Sequence, residues 1–283
     1  MQKMECRTLG GIDENELLLA FNGAFANYFV NVQLTLSQLQ DKIRCDHIDF
    51  GLSAGAFAED KLVGFTLHAF DCIDGVNTVY NSGTGVLPEF RGQSVTKRMY
   101  DFITPKLRKR KVETVLLEVI AENIPAIRVY TSIGFTEERK LPCYKGSIVA
   151  KSNPDVLVKE ISDYNWAQLK SFWDFSPTWQ NSILVLNELK ATNQLFAAFL
   201  GQEMVGYLVY NPNAKRIHQF AVHRNYRNRK VASSLFAHVT KLQQEELKII
   251  NVDGRSEGAN AFLKKVGMEV FVEQVGMRWE IRE

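Results

Sequence analysis

One stretch of the chain occurs twice, and this repetition constrains the possible folds more than any other feature. Residues 86–103, VLPEFRGQSVTKRMYDFI, align without gaps with residues 222–239, VHRNYRNRKVASSLFAHV. In each copy, an apolar strand end leads through a polar loop into a helix with apolar residues at helical spacing. The aligned pairs are Val86 with Val222, Phe90 with Tyr226, Arg91 with Arg227, and Val95 with Val231. The repeat predicts two copies of one fold.

The segments around the two copies support a division into two domains. In each half we predict a first strand, two helices and then a meander of three strands that leads into the repeated stretch. The segment 150–156, AKSNPDV, is polar, contains a proline and lies between two apolar blocks, so we expect it to be a linker. At 283 residues and 46% apolar composition the chain has ample core for two domains. We predict domains at 1–150 and 156–283.

The first copy of the loop has the composition of an anion-binding site. Residues 91–96 contain one glycine and two small hydroxyl residues, and they run into the first turn of a helix. The first N–H groups of a helix have no internal partners, and the helix dipole adds positive charge there, so a phosphate fits. The loop has neither the Gly-Lys-Ser/Thr of a Walker loop nor a G-x-G-x-x-G fingerprint. An ordinary strand-to-helix turn with an exposed arginine remains the alternative.

A second stretch follows in the order typical of one family. Residues 112–135 contain a continuous apolar strand, a polar corner, a short helix and Gly134 as its terminator. The segment VLPEFRGQSVT resembles the acetyl-CoA pyrophosphate loop of the GCN5-related N-acetyltransferases, the GNAT family. The segment LEVIAENIPAIRVYTSIGF resembles that family's following strand and helix. The chain is therefore similar to two tandem GNAT domains over nearly its whole length.

This resemblance implies both a fold and a co-substrate. The fold would be α/β (α+β), with each domain a mixed, mostly antiparallel twisted sheet flanked by helices. The co-substrate would be acetyl-CoA, with Asn123 holding its pantetheine arm and strand backbone pairing with that arm and offering the oxyanion donor. The backbone residues implied are Gly85, Val86 and Leu87, and those of the pyrophosphate loop are Arg91, Gly92, Gln93, Ser94, Val95 and Thr96.

Acyl transfer from a thioester to an amine needs a group that takes the amine proton and a group that protonates the departing thiolate. Glu118 on the predicted strand and Tyr130 on the following helix are the candidates. In several family members that act on protein N-termini, a glutamate and a tyrosine at this spacing serve as base and acid, so the resemblance implies these roles. Glu118 as a solvent-facing edge residue and Tyr130 as plain core are the alternatives, and Glu89 is a weaker candidate base.

Both halves depart from the family pattern. The family prefers glycine where Ser94 stands and glycine or alanine where Thr96 stands, and a Cβ at 94 narrows the approach of the pyrophosphate. In the second half the departures are larger. Alignment of Gly267 with Gly134 places Asn251, Ser256 and Leu263 where the first half has Glu118, Asn123 and Tyr130, and Lys230 takes the position of Ser94. We predict that the second half is catalytically silent.

The first helix carries an aromatic stripe. We predict a helix from Asp13, with Glu16 as its capping-box partner, to about Tyr28, and its aromatic face is typical of core packing. In the resembled family the first two helices and the loop between them form one wall of the acceptor groove. Tyr28, Phe29 and Asn31 could therefore contribute to the core and to the groove.

Composition excludes several partner classes. The net charge is +2, with basic residues scattered among acidic ones, so we expect no nucleic-acid partner. No apolar run approaches the length of a membrane span and the N-terminus lacks a signal-peptide core, which favours a soluble cytosolic protein with no membrane partner. The four cysteines form no C-x-x-C pair and no metal-ligand spacing with the histidines, so we expect reduced thiols and no metal.

These observations lead to one primary hypothesis. It is an acetyl-CoA-dependent N-acetyltransferase in which a primary amine attacks the thioester directly in a ternary complex, with the active site in residues 1–150. Cys143 follows Pro142 with no nearby histidine, so a covalent intermediate is not expected. The acceptor would be a small-molecule amine or a peptide N-terminus. The alternative is a tandem GNAT module that binds and senses acyl-CoA without turnover.

Overall fold

A computed structural model describes residues 4–26, 28–30, 32–242 and 245–281. The chain forms two compact units, and their boundaries differ from the predicted domain ends. The first unit comprises Met1–Glu138 together with Val275–Glu283, and the second comprises Arg139–Gln274.

The elements of the first half follow the predicted order. The helices are α1 (Glu14–Ala24), α2 (Leu36–Asp46), α3 (Val95–Lys109) and α4 (Ile124–Ile133). The strands are β1 (Met4–Thr8), β2 (Ala54–Ala58), β3 (Lys61–Ile73), β4 (Val76–Val86), β5 (Thr114–Ile120) and β6 (Thr136–Gly146).

The second half repeats this order. Its helices are α5 (Trp166–Lys170), α6 (Ile183–Glu188), α7 (Val231–Leu242) and α8 (Glu257–Lys265). Its strands are β7 (Val156–Ile161), β8 (Gln194–Leu200), β9 (Glu203–Asn211), β10 (Arg216–Val222), β11 (Leu247–Ile249) and β12 (Glu269–Glu280).

Each unit contains a mixed, mostly antiparallel sheet, as predicted. In the first unit β1, β2, β3 and β4 pair antiparallel, and β5 lies parallel to β4. In the second unit β7, β8, β9 and β10 pair antiparallel, and β11 lies parallel to β10. The equal strand order confirms the internal repeat, and the helices on the sheets confirm the α/β (α+β) class.

Two apolar clusters form the core of the first unit. One joins α3 to the centre of the sheet through residues such as Met99, Ile103, Val115 and Leu117. The other joins α1 and α2 to the sheet through Leu17, Phe21, Leu39, Phe65 and Leu67. Phe21 of the aromatic stripe is thus core, as its helical spacing predicted, whereas Phe29 is 53% exposed.

The end of α1 and its cap differ from the prediction. Asp13 caps the helix as predicted, since its Oδ1 accepts from the Asn15 amide at 2.7 Å. Glu16 does not complete a capping box, because its Oε1 accepts from the Leu62 amide at 3.0 Å instead. The helix ends at Ala24 rather than near Tyr28.

The closing strands explain why the unit boundaries differ from the predicted domains. The sequence predicts that residues 137–147 close the first half. In the structure β6 enters the second unit at Arg139, where Tyr144 pairs with Ile249 of β11. The first unit takes the final strand from the end of the chain, and the Ile281 amide donates to the Glu113 carbonyl at 2.8 Å. Strand patterns show which residues can pair but not which copy of a duplicated strand fills a place.

The predicted linker is held in place in the second unit. The Asn153 amide donates to Ser234 Oγ of α7 at 2.9 Å, and its side-chain amide donates to the Arg229 carbonyl at 3.0 Å. The segment is therefore an ordered connection that Asn153 attaches to α7 and to the residue Arg229 before it.

Candidate active site and acyl-CoA loop

The loop after β4 has a backbone that exposes amide groups. A 3₁₀ turn covers Pro88–Phe90, and Gly92 and Ser94 follow with left-handed φ values of 73° and 58°. Arg98 makes the first helical hydrogen bond, donating to the Ser94 carbonyl at 3.0 Å. The amides of residues 95–97 therefore have no acceptor within α3, as expected for an anion-binding helix start.

Arg91 has a different contact from the one expected of a phosphate ligand. Its Nε donates to the Val86 carbonyl at 3.2 Å, and its NH2 group donates to the Ala24 carbonyl at 2.8 Å. The guanidinium thus fastens the end of α1 to the end of β4. In the second unit, Arg227 Nε donates to the Val222 carbonyl at the same 3.2 Å, so the repeated arginine has a repeated structural role.

The strands beside this loop separate. Parallel pairing of β4 with β5 covers Thr78–Thr114, Val79–Val115 and Tyr80–Leu116, and no further pair forms among the described residues of these strands. The last residues of β4 therefore have one edge without a neighbouring strand. This edge is where the resemblance places the pantetheine arm.

The three residues at the end of β4 that were predicted to pair with the pantetheine arm differ in how their backbone is placed. The Leu87 amide already donates to the Val63 carbonyl of β3 at 2.9 Å. Because N–H groups alternate between the two edges of a strand, the Val86 amide faces the open edge. Gly85 is required for packing, since a Cβ there would lie 2.5 Å from the Phe65 ring and 2.7 Å from the Ala24 Cβ.

Tyr28 lies between Asn123, which caps α4, and Tyr130 of the same helix. Asn123 caps this helix, its Oδ1 accepting from the Ala126 amide at 3.2 Å, while its Nδ2 donates to the Tyr28 hydroxyl at 3.4 Å. Tyr130 is 8% exposed, and burial raises its pKa to about 12; the neighbouring Tyr28 adds to this rise. Tyr28 and Phe29 pack edge to face, whereas Asn31 lies outside the described residues.

Glu118 forms a hydrogen bond with a different tyrosine, Tyr80. Its Oε2 accepts a hydrogen bond from the Tyr80 hydroxyl. Leu117 and Val119 on either side of it belong to the same core cluster as Tyr130, so strand alternation places Glu118 on the opposite face of β5. The structure therefore brings Tyr130 to Tyr28 and Asn123, and it brings Glu118 to Tyr80.

A buried chain of hydrogen bonds lies behind Tyr130. Thr84, which hydrogen-bonds with Tyr130, donates from Oγ1 to Thr66 Oγ1 at 3.0 Å. Thr66 lies 3.2 Å from His68 Nε2, and Asn81 Nδ2 donates to Thr84 Oγ1 at 2.8 Å. Sequence reasoning missed this network, although the polar residues Asn81, Ser82 and Thr84 within one predicted strand were a possible signal.

The second unit keeps the loop backbone but changes its side chains. Asn228 and Lys230 have φ values of 62° and 60°, matching Gly92 and Ser94. Where Tyr130 stands in the first half, Leu263 is completely buried. Asn251 stands at the position of Glu118. Its backbone amide donates to the Cys143 sulfur at 3.3 Å, and the Cys143 thiol donates to its Oδ1 at 3.5 Å.

The described residues offer no three His, Cys, Asp or Glu side chains placed to hold a metal ion. Within the same residues, no helix has the length and apolar character needed to cross a bilayer.

The fold and the loop define the class of protein, a chain of two similar units of the acetyltransferase type. The sequence model of the acetyltransferase (GNAT) family matches residues 21–135 and 158–268, and the chain belongs to this family. The resemblance inferred from the two motifs is thereby confirmed. No curated protein matched the sequence.

Solved structures show the same tandem fold. A GCN5-related N-acetyltransferase from Sphaerobacter thermophilus has a TM-score of 0.74 at 15% identity, covering 99% of this chain and 96% of that one. A tandem GNAT protein from the clavulanic acid biosynthesis pathway has a TM-score of 0.72 at 12% identity and covers 99% of both chains. A GCN5-related N-acetyltransferase from Kribbella flavida has a TM-score of 0.64 at 13% identity, covering 98% and 71%.

Proposed function

We propose that the protein is an acetyl-CoA-dependent N-acetyltransferase whose active site lies in the first unit. The observation that carries this proposal is the open edge of β4 beside the loop at Gly92, with Asn123 bound to Tyr28 and Tyr28 close to Tyr130 of α4. An extended pantetheine arm fits such an edge because it can pair with strand backbone. The pyrophosphate would meet the free amides at the start of α3.

Tyr130 suits the role of general acid. With its pKa raised to about 12, its hydroxyl keeps the proton at neutral pH. When the amine nitrogen bonds to the acetyl carbon and the carbon–sulfur bond breaks, the thiolate takes the Tyr130 proton. The Val86 amide, on the open edge of β4, would donate to the carbonyl oxygen as it gains negative charge.

Glu118 would take the proton of the attacking amine, directly or through water. Its hydrogen bond from Tyr80 holds the Glu118 carboxyl group in one orientation. No enzyme nucleophile takes part, so the amine and the thioester react in a ternary complex held together by the site.

The acceptor would be a primary amine, either a small molecule or a peptide N-terminus. The wall that α1 leads into is aromatic, with Phe25 and Tyr28 in edge contact at 5.0 Å and Phe29 half exposed. Aromatic faces favour an acceptor with an apolar part beside its amine.

The proposal is tested by following thiol release from acetyl-CoA with a panel of amines and N-terminal peptides. We expect Tyr130→Phe and Glu118→Gln to lower kcat by about 10²–10⁴-fold, because each removes one proton transfer. Tyr164→Phe is the matched control, since burial also raises the pKa of Tyr164 to about 12 but this residue lies in the second unit. Equal kcat values for the Tyr130 and Tyr164 variants would refute the site.

A non-catalytic acyl-CoA sensor is the second candidate. It is favoured by Ser94 and Thr96 in the loop and by the mutual hydrogen bonds that occupy Asn123 with Tyr28 and Glu118 with Tyr80. A protein that binds acetyl-CoA but releases no thiol with any amine of the panel would establish this alternative.

A further inference from the structure

The second unit contains a cavity of about 720 Å³. Every residue that lines it belongs to Arg139–Gln274, so the cavity lies within one compact unit. Phe172, Trp173 and Phe175, from the segment between α5 and α6, give it an aromatic wall. A cavity of this size, with aromatic side chains and a few polar groups in its lining, is typical of small-molecule binding.

Hydrogen bonds fix the aromatic wall from behind. Trp173 Nε1 donates to the Tyr207 hydroxyl, and that hydroxyl donates to Gln219 Oε1 at 2.7 Å. Gln219 Nε2 donates in turn to the Asn181 carbonyl. Because Tyr207, Gln219 and Asn181 are buried, the indole of Trp173 is held in one orientation, and the wall exists before a ligand arrives.

Two arginines share one carboxylate in the lining of the same cavity. Arg139 NH1 and Arg255 NH2 each donate to Asp253 Oδ2 at 2.8 Å, and Arg255 Nε donates to Asp253 Oδ1 at 2.9 Å. Burial alone would raise the pKa of Asp253, but the hydrogen bonds from Arg255 and Arg139 lower it, so this carboxylate is ionised at neutral pH. Two guanidinium charges against one carboxylate leave one excess positive charge at the cavity.

Arg139 has donor groups to spare. Its side chain is 14% exposed, and it lines the cavity. In the described ranges both of its hydrogen bonds come from NH1, to Asp253 and to the Ser176 carbonyl at 3.0 Å, so Nε and NH2 have no protein partner there. The donors of a largely buried guanidinium are normally satisfied, and unused ones in a cavity wall therefore indicate a ligand that accepts from them.

Arg255 differs from Arg139 in both respects. Its side chain is 51% exposed, and Asp253 accepts from both its Nε and its NH2 group. Its guanidinium lies 4.8 Å from the centre of the Phe175 ring, which places the positive charge against the aromatic wall. Arg139 is therefore the candidate ligand-binding residue, and Arg255 balances part of the charge of Asp253.

We propose that this cavity binds an organic carboxylate with an apolar or aromatic body. The carboxylate would accept from Nε and NH2 of Arg139, a planar pair of donors that matches its two oxygens. The body of the ligand would lie against Trp173 and Phe175. One excess positive charge fits a monoanionic carboxylate, whereas a phosphate dianion would call for more. Binding at this site does not depend on acetyl transfer in the first unit.

The test is ligand-observed NMR of the full-length protein with matched probes. Phenylacetate, 4-phenylbutyrate and 2-naphthoate join a carboxylate to an aromatic body, and their primary amides have nearly the same shape without the charge. We expect at least one carboxylate to bind about tenfold or more tightly than its amide, because hydrogen bonds to a charged group are the stronger ones. Inorganic phosphate should not displace it.

Three variants locate the site and separate the roles of its charges. Arg139→Gln should weaken the bound carboxylate about tenfold or more and leave the amides unchanged. Lys265→Gln, which removes one positive charge elsewhere in the lining, is the matched control and should have little effect. Asp253→Asn removes the carboxylate that competes for Arg139, so it should strengthen binding, whereas a purely structural ion pair would make both Arg139→Gln and Asp253→Asn weaken it.

Four outcomes overturn the proposal: no carboxylate binds, the amides bind as tightly as the carboxylates, Arg139→Gln weakens binding no more than Lys265→Gln does, or Asp253→Asn weakens it. Thermal unfolding of each variant shows whether it folds. Should Arg139→Gln fail to fold, Arg139→Lys gives the same comparison, because it keeps the charge but loses the paired donors.

Discussion

The buried imidazole of His68 makes the first unit sensitive to acid. His68 has no solvent exposure, and its Nδ1 lies 2.8 Å from the Leu52 carbonyl. A carbonyl only accepts, so Nδ1 carries the hydrogen and Nε2 accepts from Thr66 at 3.2 Å. Both nitrogens are therefore satisfied in the neutral ring. Protonation would turn Nε2 into a donor that faces the donating Thr66 hydroxyl, and it would bury a charge.

The size and direction of the effect follow from the pKa. Burial lowers the pKa of His68 from 6.5 to about 4. Above pH 6.5 the His68 imidazole is neutral in both the folded and the unfolded state, so it adds no pH dependence to stability. Between pH 6.5 and 4 the unfolded state takes up a proton that the folded state does not, so stability falls by about 1.4 kcal/mol per pH unit. Below pH 4 the loss levels off at roughly 3 kcal/mol, the equivalent of this pKa difference.

Hydrogen exchange in increasing urea, read by mass spectrometry, can follow each unit separately. Peptides from β3 report the first unit, and peptides from β9 report the second, where burial lowers the pKa values of His218 and His238. For β3 peptides, the free energy of unfolding plotted against pH has a slope between pH 6.5 and 4. In His68→Gln this slope should be smaller by about 1.4 kcal/mol per pH unit than in the wild type. The β9 slope should not change. Equal β3 slopes in both proteins would refute the reasoning.

Two further predictions concern stability in the first unit. Gly134→Ala should lower its unfolding free energy by about 2 kcal/mol or more, because φ is 124° and the new Cβ would lie 2.8 Å from Trp279 Nε1; urea unfolding measures this, and an unchanged midpoint would contradict it. Ser82→Ala should cost about 1–2 kcal/mol, because the hydroxyl bridges Lys42 at 2.6 Å and Asp46 at 2.5 Å in a largely buried group. Thermal unfolding tests it, and Ser132→Ala on the exposed side of α4 is the control.

Local features of the chain were predictable from the sequence. The helix that follows the loop at 91–96, the cap at Asp13 and the termination at Gly134 each depend on a few neighbouring residues, and the structure has all three. The duplication was equally visible, because the two loops keep the same residue types at the same spacing. The antiparallel meander in each half was predicted as well, although the places of the closing strands were not.

Partners distant in sequence were not predictable. Nothing near Arg91 shows that its guanidinium binds the Ala24 carbonyl, and nothing near Leu87 shows that its amide is used by Val63. The interaction of Glu118 with Tyr80 likewise depends on the register of β4 against β5. Such contacts depend on the three-dimensional fold, whereas periodicity and spacing report only local structure.

The two loops show how a duplicated fold can separate backbone geometry from chemistry. Each loop has two left-handed residues, Gly92 and Ser94 in the first copy and Asn228 and Lys230 in the second. In each copy an arginine also donates to the carbonyl of the preceding strand, so the backbone is the same although the side chains differ. The free helix amides depend on that backbone alone, so anion binding can persist after the tyrosine of α4 has become the buried Leu263. The second copy keeps the helix amides but has neither the tyrosine nor the glutamate proposed for transfer, so we expect no acetyl transfer there. This reasoning predicts that restoring a tyrosine at 263 alone would not create transferase activity, because the position of Glu118 is also occupied by Asn251.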